Sequence, residues 1–227
     1  MQLMEQTYKN LIFAFLTLSL ITVFMGSMLA YKETVLKKRL AYSTVSQVSY
    51  VLFGIALMHP IALVGSLLHM VCHSVIKCTL FLDAGAIIYK TGKTKVKELV
   101  GIGKEMPVTM WTFTIASLGL VGIPPMCGFI SKWYLCQGAL ESGITVVKYL
   151  GPAILLVSAL LTAGYLFSIV IAGFFPGEQF DYSTLKKQKL NSCMFVPLVA
   201  FAILIVFFGI WPEGLLSMFA EFVELLF

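Results

Sequence analysis

Residues 11–31 carry no charged side chain, and neither do residues 149–175. A helix of about 20 apolar residues is what it takes to span the hydrocarbon core of a bilayer, so runs of this length restrict the chain to a short menu of folds. Composition closes the soluble alternative. A typical water-soluble domain keeps about 25% of its residues charged, whereas this chain of 227 residues has 12% charged and 59% hydrophobic. Disorder and a disulfide-rich secreted module are excluded on the same ground. Cys72, Cys78, Cys127, Cys136 and Cys193 form no CxxC pair and read as free, packing thiols.

Dividing the apolar sequence at its breakers predicts six membrane helices, at about 11–31, 40–58, 61–89, 107–138, 149–175 and 193–211, in a single membrane domain covering 1–227. His59-Pro60 is the one break between the second and third spans, and a short amphipathic tail, 213–227, follows the sixth. The fold class is therefore all-α integral membrane. The first span is expected to be a true membrane helix and not a cleaved leader, because a leader needs a basic start and here Glu5 and a lone Lys9 precede it.

With six spans, the lysine-rich loops fall on one side: Lys32, Lys37, Lys38 and Arg39, then 90–104, then Lys186, Lys187 and Lys189. The opposite side has Lys9 and Lys148 against Glu5, Glu141, Glu213, Glu221 and Glu224. The positive-inside rule then places the chain in the cell inner (plasma) membrane with both termini on the non-cytoplasmic side. The net charge of +5 follows from this topology and calls for no nucleic acid.

The third span contains His69, His73 and Lys77 at i, i+4 and i+8. At about 100° per residue they occupy a wedge of roughly 80° and rise about 12 Å, and Asp83 is expected to flank the same stripe. Insertion scales charge about 2.5–3.5 kcal/mol for one central lysine, so such a line calls for a use. Titratable groups within hydrogen-bond reach, directly or through water, are what a proton needs to cross hydrocarbon. A metal site is not expected: Met70 follows His69 where a zinc protease needs Glu, and Cys72 sits about 100° from His73 on another face.

In the fourth span Gly122, Pro124, Pro125 and Gly128 predict a helix break, because neither proline has an amide hydrogen and their rings clash with the preceding turn. Lys132 follows about two turns later. Broken helices beside a charge are a recurrent way of building an ion site.

Three stretches together resemble a known family: Lys38-Arg39-Leu-Ala-Tyr-Ser-Thr-Val-Ser-Gln47, then His69-x3-His73-x3-Lys77-Cys-Thr-Leu-Phe-Leu-Asp-Ala-Gly85, then Pro107-Val-Thr with Gly122-Ile-Pro-Pro-x-x-Gly-Phe-Ile-Ser-Lys132. The family is that of the antiporter-like subunits of respiratory complex I, Mrp-type sodium/proton antiporters and membrane-bound hydrogenases. The resemblance implies a subunit of fourteen helices built from two inverted repeats around a polar axis that carries protons. This chain resembles only its second repeat plus the final helix. By position, His69, His73 and Lys77 correspond to the relay, and Lys132 to the lysine of the second broken helix. Asp83 departs from the small residue usual there and is expected to hold a local cation or to pair with a partner subunit.

The expectation is thus a half-subunit that translocates protons, or exchanges them with sodium, among other membrane subunits, one of which supplies the first repeat. Lys132 is the expected gated terminal site and Lys77 the central donor, linked by the histidines. The rival is a scaffold subunit that braces a redox complex without conducting ions, and a quinone or lipid site at the broken helix ranks below both. There is no dinucleotide fingerprint, iron-sulfur ligand set or nucleophile triad in the sequence, so no cofactor and no catalytic chemistry of the chain's own are expected.

Overall fold

The computed structural model describes residues 2–177, 188 and 190–227, with side chains from residue 6 onward. Lys186, Lys187 and Lys189 of the third basic loop lie outside the described residues. In chain order the helices are α1 (Gln2–Lys32), α2 (Leu36–Ala56), α3 (Pro60–Thr91), the short α4 (Ile102–Glu105), α5 (Pro107–Val121), α6 (Cys127–Glu141), α7 (Thr145–Phe174), α8 (Ser192–Ile210) and α9 (Glu213–Glu224). A single 3-10 turn, Val96–Leu99, precedes α4. Among the described residues there is no strand, only an isolated bridge between Val35 and Lys95.

Length and composition make four of these helices able to cross a membrane: α1 from Gln6, α3, α7 and α8. Six spans were expected, and the difference has identifiable causes. α2 has 21 residues, enough for about 31 Å at 1.5 Å per residue. However, it starts four residues before the expected boundary and takes in Lys37, Lys38 and Arg39, besides the hydroxyls of Ser43, Thr44, Ser46 and Ser49. α5 and α6 have 15 residues each, about 22 Å apiece, and neither is long enough alone.

α5 stops where its sequence dictates. Gly122 takes φ 89°, a left-handed conformation that costs a residue without Cβ little. Prolines 124 and 125 then have no N–H with which to continue the ladder. Residues 122–126 run outside helix until Cys127 starts α6. Such backbone is tolerated at membrane depth only where protein or water covers it, and here α8 does so: a Cβ on Gly209 would collide with Pro125 O and lie 2.7 Å from Cys127 N.

Two apolar clusters fill the bundle. One gathers buried residues of α3, α5, α7 and α8, such as Leu68, Ile76, Phe113, Ile169 and Ile205. The other draws on α1, α2, α6 and α7, with Leu20, Phe53, Leu135 and Leu155. The exterior is apolar too: Phe15, Leu18, Leu156 and Leu160 are each at least 60% exposed. Polar residues inside and hydrocarbon outside is the arrangement a lipid solvent requires.

Small residues set how α3 meets α6. A Cβ on Gly65 would lie 2.8 Å from Leu135 N, and one on Gly138 would lie 2.5 Å from Ala62 N, so the two backbones approach as closely as small-residue contacts in membranes allow. This contact fixes the register. One turn beyond Gly65, His69 arrives opposite Ser131.

Candidate functional site

The interior polar groups are organised by α2, α3 and α6. His69 is 2% exposed, and its Nδ1 shares a 2.9 Å hydrogen bond with Ser131 Oγ on α6. Ser131 Oγ is also placed to donate to Gly128 O at 3.1 Å; in that arrangement His69 Nδ1–H is the donor to Ser131. The His69 ring stacks between two others. Tyr50 of α2 lies 5.4 Å away at 22°, and His73 lies 6.0 Å away at 16°.

Tyr50 is fully buried and is fixed by its hydroxyl, which donates to Leu155 O on α7 at 2.8 Å. Its ring also meets Lys132, whose Nζ is 5.3 Å from the ring centroid, within cation–π range. Lys132 Nζ donates to Leu120 O at 2.5 Å and to Val121 O at 3.0 Å. These are among the last carbonyls of α5, which a helix terminus leaves without intrahelical donors and where its dipole is negative. The end of α5 and the lysine therefore answer each other. Gly122 helps here as well, since a Cβ there would sit 3.1 Å from the Lys132 side chain.

Lys77 turns to α2. Its Nζ donates to Leu40 O at 2.9 Å and is in close hydrogen-bond contact with Ser43 Oγ. Spacing alone places His69, His73 and Lys77 on one face; of these, Lys77 and the His69 ring meet α2, while His69 Nδ1 turns to α6.

Asp83, further along α3, makes its contact with a different helix. It is fully buried and faces α5, where Thr112 Oγ1 donates to its Oδ1 at 2.7 Å. No lysine, arginine or histidine among the described residues lies within 4.0 Å of it. Among the described residues a hydroxyl thus stands where a local cation was expected, and zero exposure leaves the carboxyl no surface on which to meet a partner subunit. Arg39 also differs from expectation. It is not a loop cation but a buried member of α2, donating to Glu33 O at 2.9 and 2.7 Å and to Tyr165 O at 2.9 Å, so that it pins the end of α1 to α7.

Sequence reasoning missed Gln47 and Tyr50. Gln47 is fully buried, neither its Oε1 nor its Nε2 has a protein partner, and the same holds for Nε2 of His69 and of His73. Along α2, Gln47 lies between Ser43, which meets Lys77, and Tyr50, which meets His69. The available signal was its place at i+4 from Ser43 and i−3 from Tyr50, on one helix face. A buried amide with four unmet bonding positions is a site suited to ordered water.

Outside the span region, Lys93 pairs with Glu105 at 2.9 Å. The Glu98 carboxylate accepts from the backbone N–H groups of Thr94 and Lys95, both at 2.9 Å. The bond from Lys95 N–H is the main reason its pKa lies below the ordinary glutamate value.

The model of the transmembrane family described as NADH:quinone oxidoreductase/Mrp antiporter matches residues 1–162. The chain belongs to this family. Members of the NADH:quinone oxidoreductase/Mrp antiporter family similar to it include NADH-quinone oxidoreductase subunit N of Desulforudis audaxviator, 37% identical over 205 residues, covering 86% of this chain and 40% of the relative. A Na(+)/H(+) antiporter subunit from Alkalihalophilus pseudofirmus is 34% identical over 194 residues, covering 85% and 38%. The chain thus spans about two fifths of the length of these curated relatives. Among solved structures, the Mrp complex from Dietzia sp. DQ12-45-1b contains a chain that superposes with a TM-score of 0.82 at 22% identity, covering 93% of this chain and 46% of that one. This likeness shows the fold: an all-helical, multi-pass membrane protein of the antiporter-like kind.

Proposed function

We propose that the chain is the second half of an antiporter-like subunit that moves protons, or exchanges them with sodium, inside a multisubunit membrane complex. One observation carries this reading. From Lys132 the contacts pass to the Tyr50 ring, then to His69 and His73 in stacking steps of 5–6 Å, with Lys77 one helical turn further on. Ionisable groups inside a membrane are costly and mark ion pathways and proton relays. In this reading Lys132 is the gated terminal site and Lys77 the central donor. The histidines, with water held by Gln47, pass the proton between them. A charge arriving in a neighbouring subunit would act on the two lysines through a medium of low dielectric, where Coulomb coupling is strong.

The six spans are then α1, α2, α3, the pair α5 and α6 joined across the break at Gly122, Pro124, Pro125 and Gly128, α7 and α8. The amphipathic α9 closes the chain against α3. The basic segments at 32–38 and 90–104 take the inner side of the cell inner membrane, leaving both termini outside. The chain corresponds to the second repeat, about two fifths of its relatives' length. The names of those relatives, a quinone oxidoreductase subunit and a sodium/proton antiporter subunit, support ion translocation without separating proton from sodium.

Replacing Lys132 by Ala in the assembled complex should abolish proton uptake into vesicles while leaving subunit content unchanged. Uptake at the wild-type rate would end the relay assignment.

A further inference from the structure

Asp83 has no part in the function proposed above. Its surroundings are unusual for a carboxylate. It has no exposed surface, a single protein partner in Thr112 Oγ1 at 2.7 Å, and an Oδ2 with no protein partner at all. One turn from Thr112 on the same face of α5 is Thr109, which is also fully buried and whose Oγ1 likewise has no protein partner. Two orphaned oxygens thus occur on facing helix surfaces, one that can carry a proton and one that can accept a bond from it.

Among the described residues, the interior cations of the neighbouring helices are committed elsewhere. Lys77 of α3 is turned to Leu40 O and Ser43 Oγ, and Arg39 of α2 to Glu33 O and Tyr165 O. Lys132 of α6 caps α5 at its opposite end, while Lys93 is paired with Glu105. Titratable side chains of α5, α8 and α9 do not fill the gap, since α5 has none that is charged, α8 contributes Cys193, and the glutamates of α9 are acids themselves. An ionised carboxylate in such a place would cost far more than the one hydroxyl bond returns.

We propose that Asp83, with Thr109 and Thr112, is a proton-binding site in which the carboxyl is held as the neutral acid, accepting from Thr112 at Oδ1 and donating from Oδ2 toward Thr109 through one water. Binding forms an O–H bond on Oδ2 as a hydronium ion on the basic-loop side gives up its proton and becomes water. That side is the nearer one, because Thr109 lies in the first turn of α5, directly after the loop that contains Lys93 and Lys104. A metal cation fits less well. Hard cations such as calcium and magnesium gather six or more oxygens, and the side chains here present four, while the carbonyls of both helices are engaged in their own ladders.

The site is read directly by infrared spectroscopy of the full chain in lipid nanodiscs at neutral pH, with no ion flux involved, so that its outcome is independent of the Lys132 experiment. A protonated carboxylic acid gives a carbonyl stretching band separate from the carboxylate and amide bands. We expect this band in the wild type and its loss in Asp83→Asn. In Thr112→Val it should move to higher frequency, because the hydrogen bond to the carbonyl oxygen is gone. If Asp83→Asn does not fold by circular dichroism, the Thr112→Val shift alone decides. Absence of the band in the wild type, its survival in a folded Asp83→Asn, no shift in Thr112→Val, or its selective loss on adding sodium but not choline would each overturn the proposal.

Discussion

Lys77 and Lys132 are both interior lysines bonded to backbone, and the backbone serves them differently. Lys132 meets the terminal carbonyls of α5, which lack helical donors and form the negative end of the helix dipole. Lys77 meets Leu40 O, a carbonyl within α2 to which the hydroxyls of Ser43 and Thr44 also point at 2.8 and 3.0 Å, and it meets Ser43 Oγ itself. Carbonyls can only accept, whereas a hydroxyl can donate or accept. The shell of Lys77 can therefore reorganise around either protonation state by rotating one hydroxyl, while that of Lys132 is fixed by where α5 ends. Breaking a helix gives a rigid cation site, and a continuous helix with a serine gives an adaptable one.

The rigidity of the Lys132 site depends on α8 covering the break, which makes Gly209→Leu the largest structural test. Its side chain would collide with Pro125 O, and overpacking of this kind typically costs about 1–3 kcal/mol, occasionally more. We expect the upper end, seen as a lower thermal midpoint in detergent together with loss of proton uptake. An unchanged midpoint would mean that α8 does not brace the break.

Next in size, Ser43→Ala removes the adaptable partner of Lys77. A hydrogen bond to a charged group contributes about 1.5–3 kcal/mol, and the crowded Leu40 O offers little compensation. Uptake should slow while Lys132 keeps its carbonyls. Equal uptake in Ser43→Ala and wild type would remove the contrast between the two sites.

Tyr50→Phe separates the ring from its anchor. The hydrogen bond to Leu155 O, about 1 kcal/mol, is lost, but the stack on His69 and the face toward Lys132 remain. Uptake should stay close to wild type in Tyr50→Phe and fall sharply in Tyr50→Leu. Equal activity of the two variants would take the ring out of the relay.

The smallest effect belongs to Glu98, which is remote from both lysines. Its pKa is depressed in the folded chain, so its stabilising bonds to Thr94 and Lys95 N–H are present above the ordinary glutamate pKa of 4.5 and are lost as pH falls through the lower folded value. Glu98→Gln should flatten this acid limb of a melting-temperature profile and leave uptake at neutral pH unchanged.

The sequence by itself determined the solvent, the stripe and the break. Charge-free runs such as 149–175 admit a lipid environment and little else. The spacing of His69, His73 and Lys77 fixes a common face on their own helix, and Gly122, Pro124 and Pro125 remove both the conformation and the donors that α5 would need to continue. All of these are local properties of one helix or one segment. What faces that stripe is not local. Helical periodicity gives an angle about one axis and says nothing of the neighbour across it. Only the tertiary structure could therefore send Lys77 to α2 and Asp83 to α5, draw Arg39 inward from what read as a loop, and set Tyr50 against His69. Those choices were made by close contacts between backbones, at Gly65 and Gly138 between α3 and α6 and at Gly209 over the break, where the absence of a side chain decides how near two helices come and hence which residues meet.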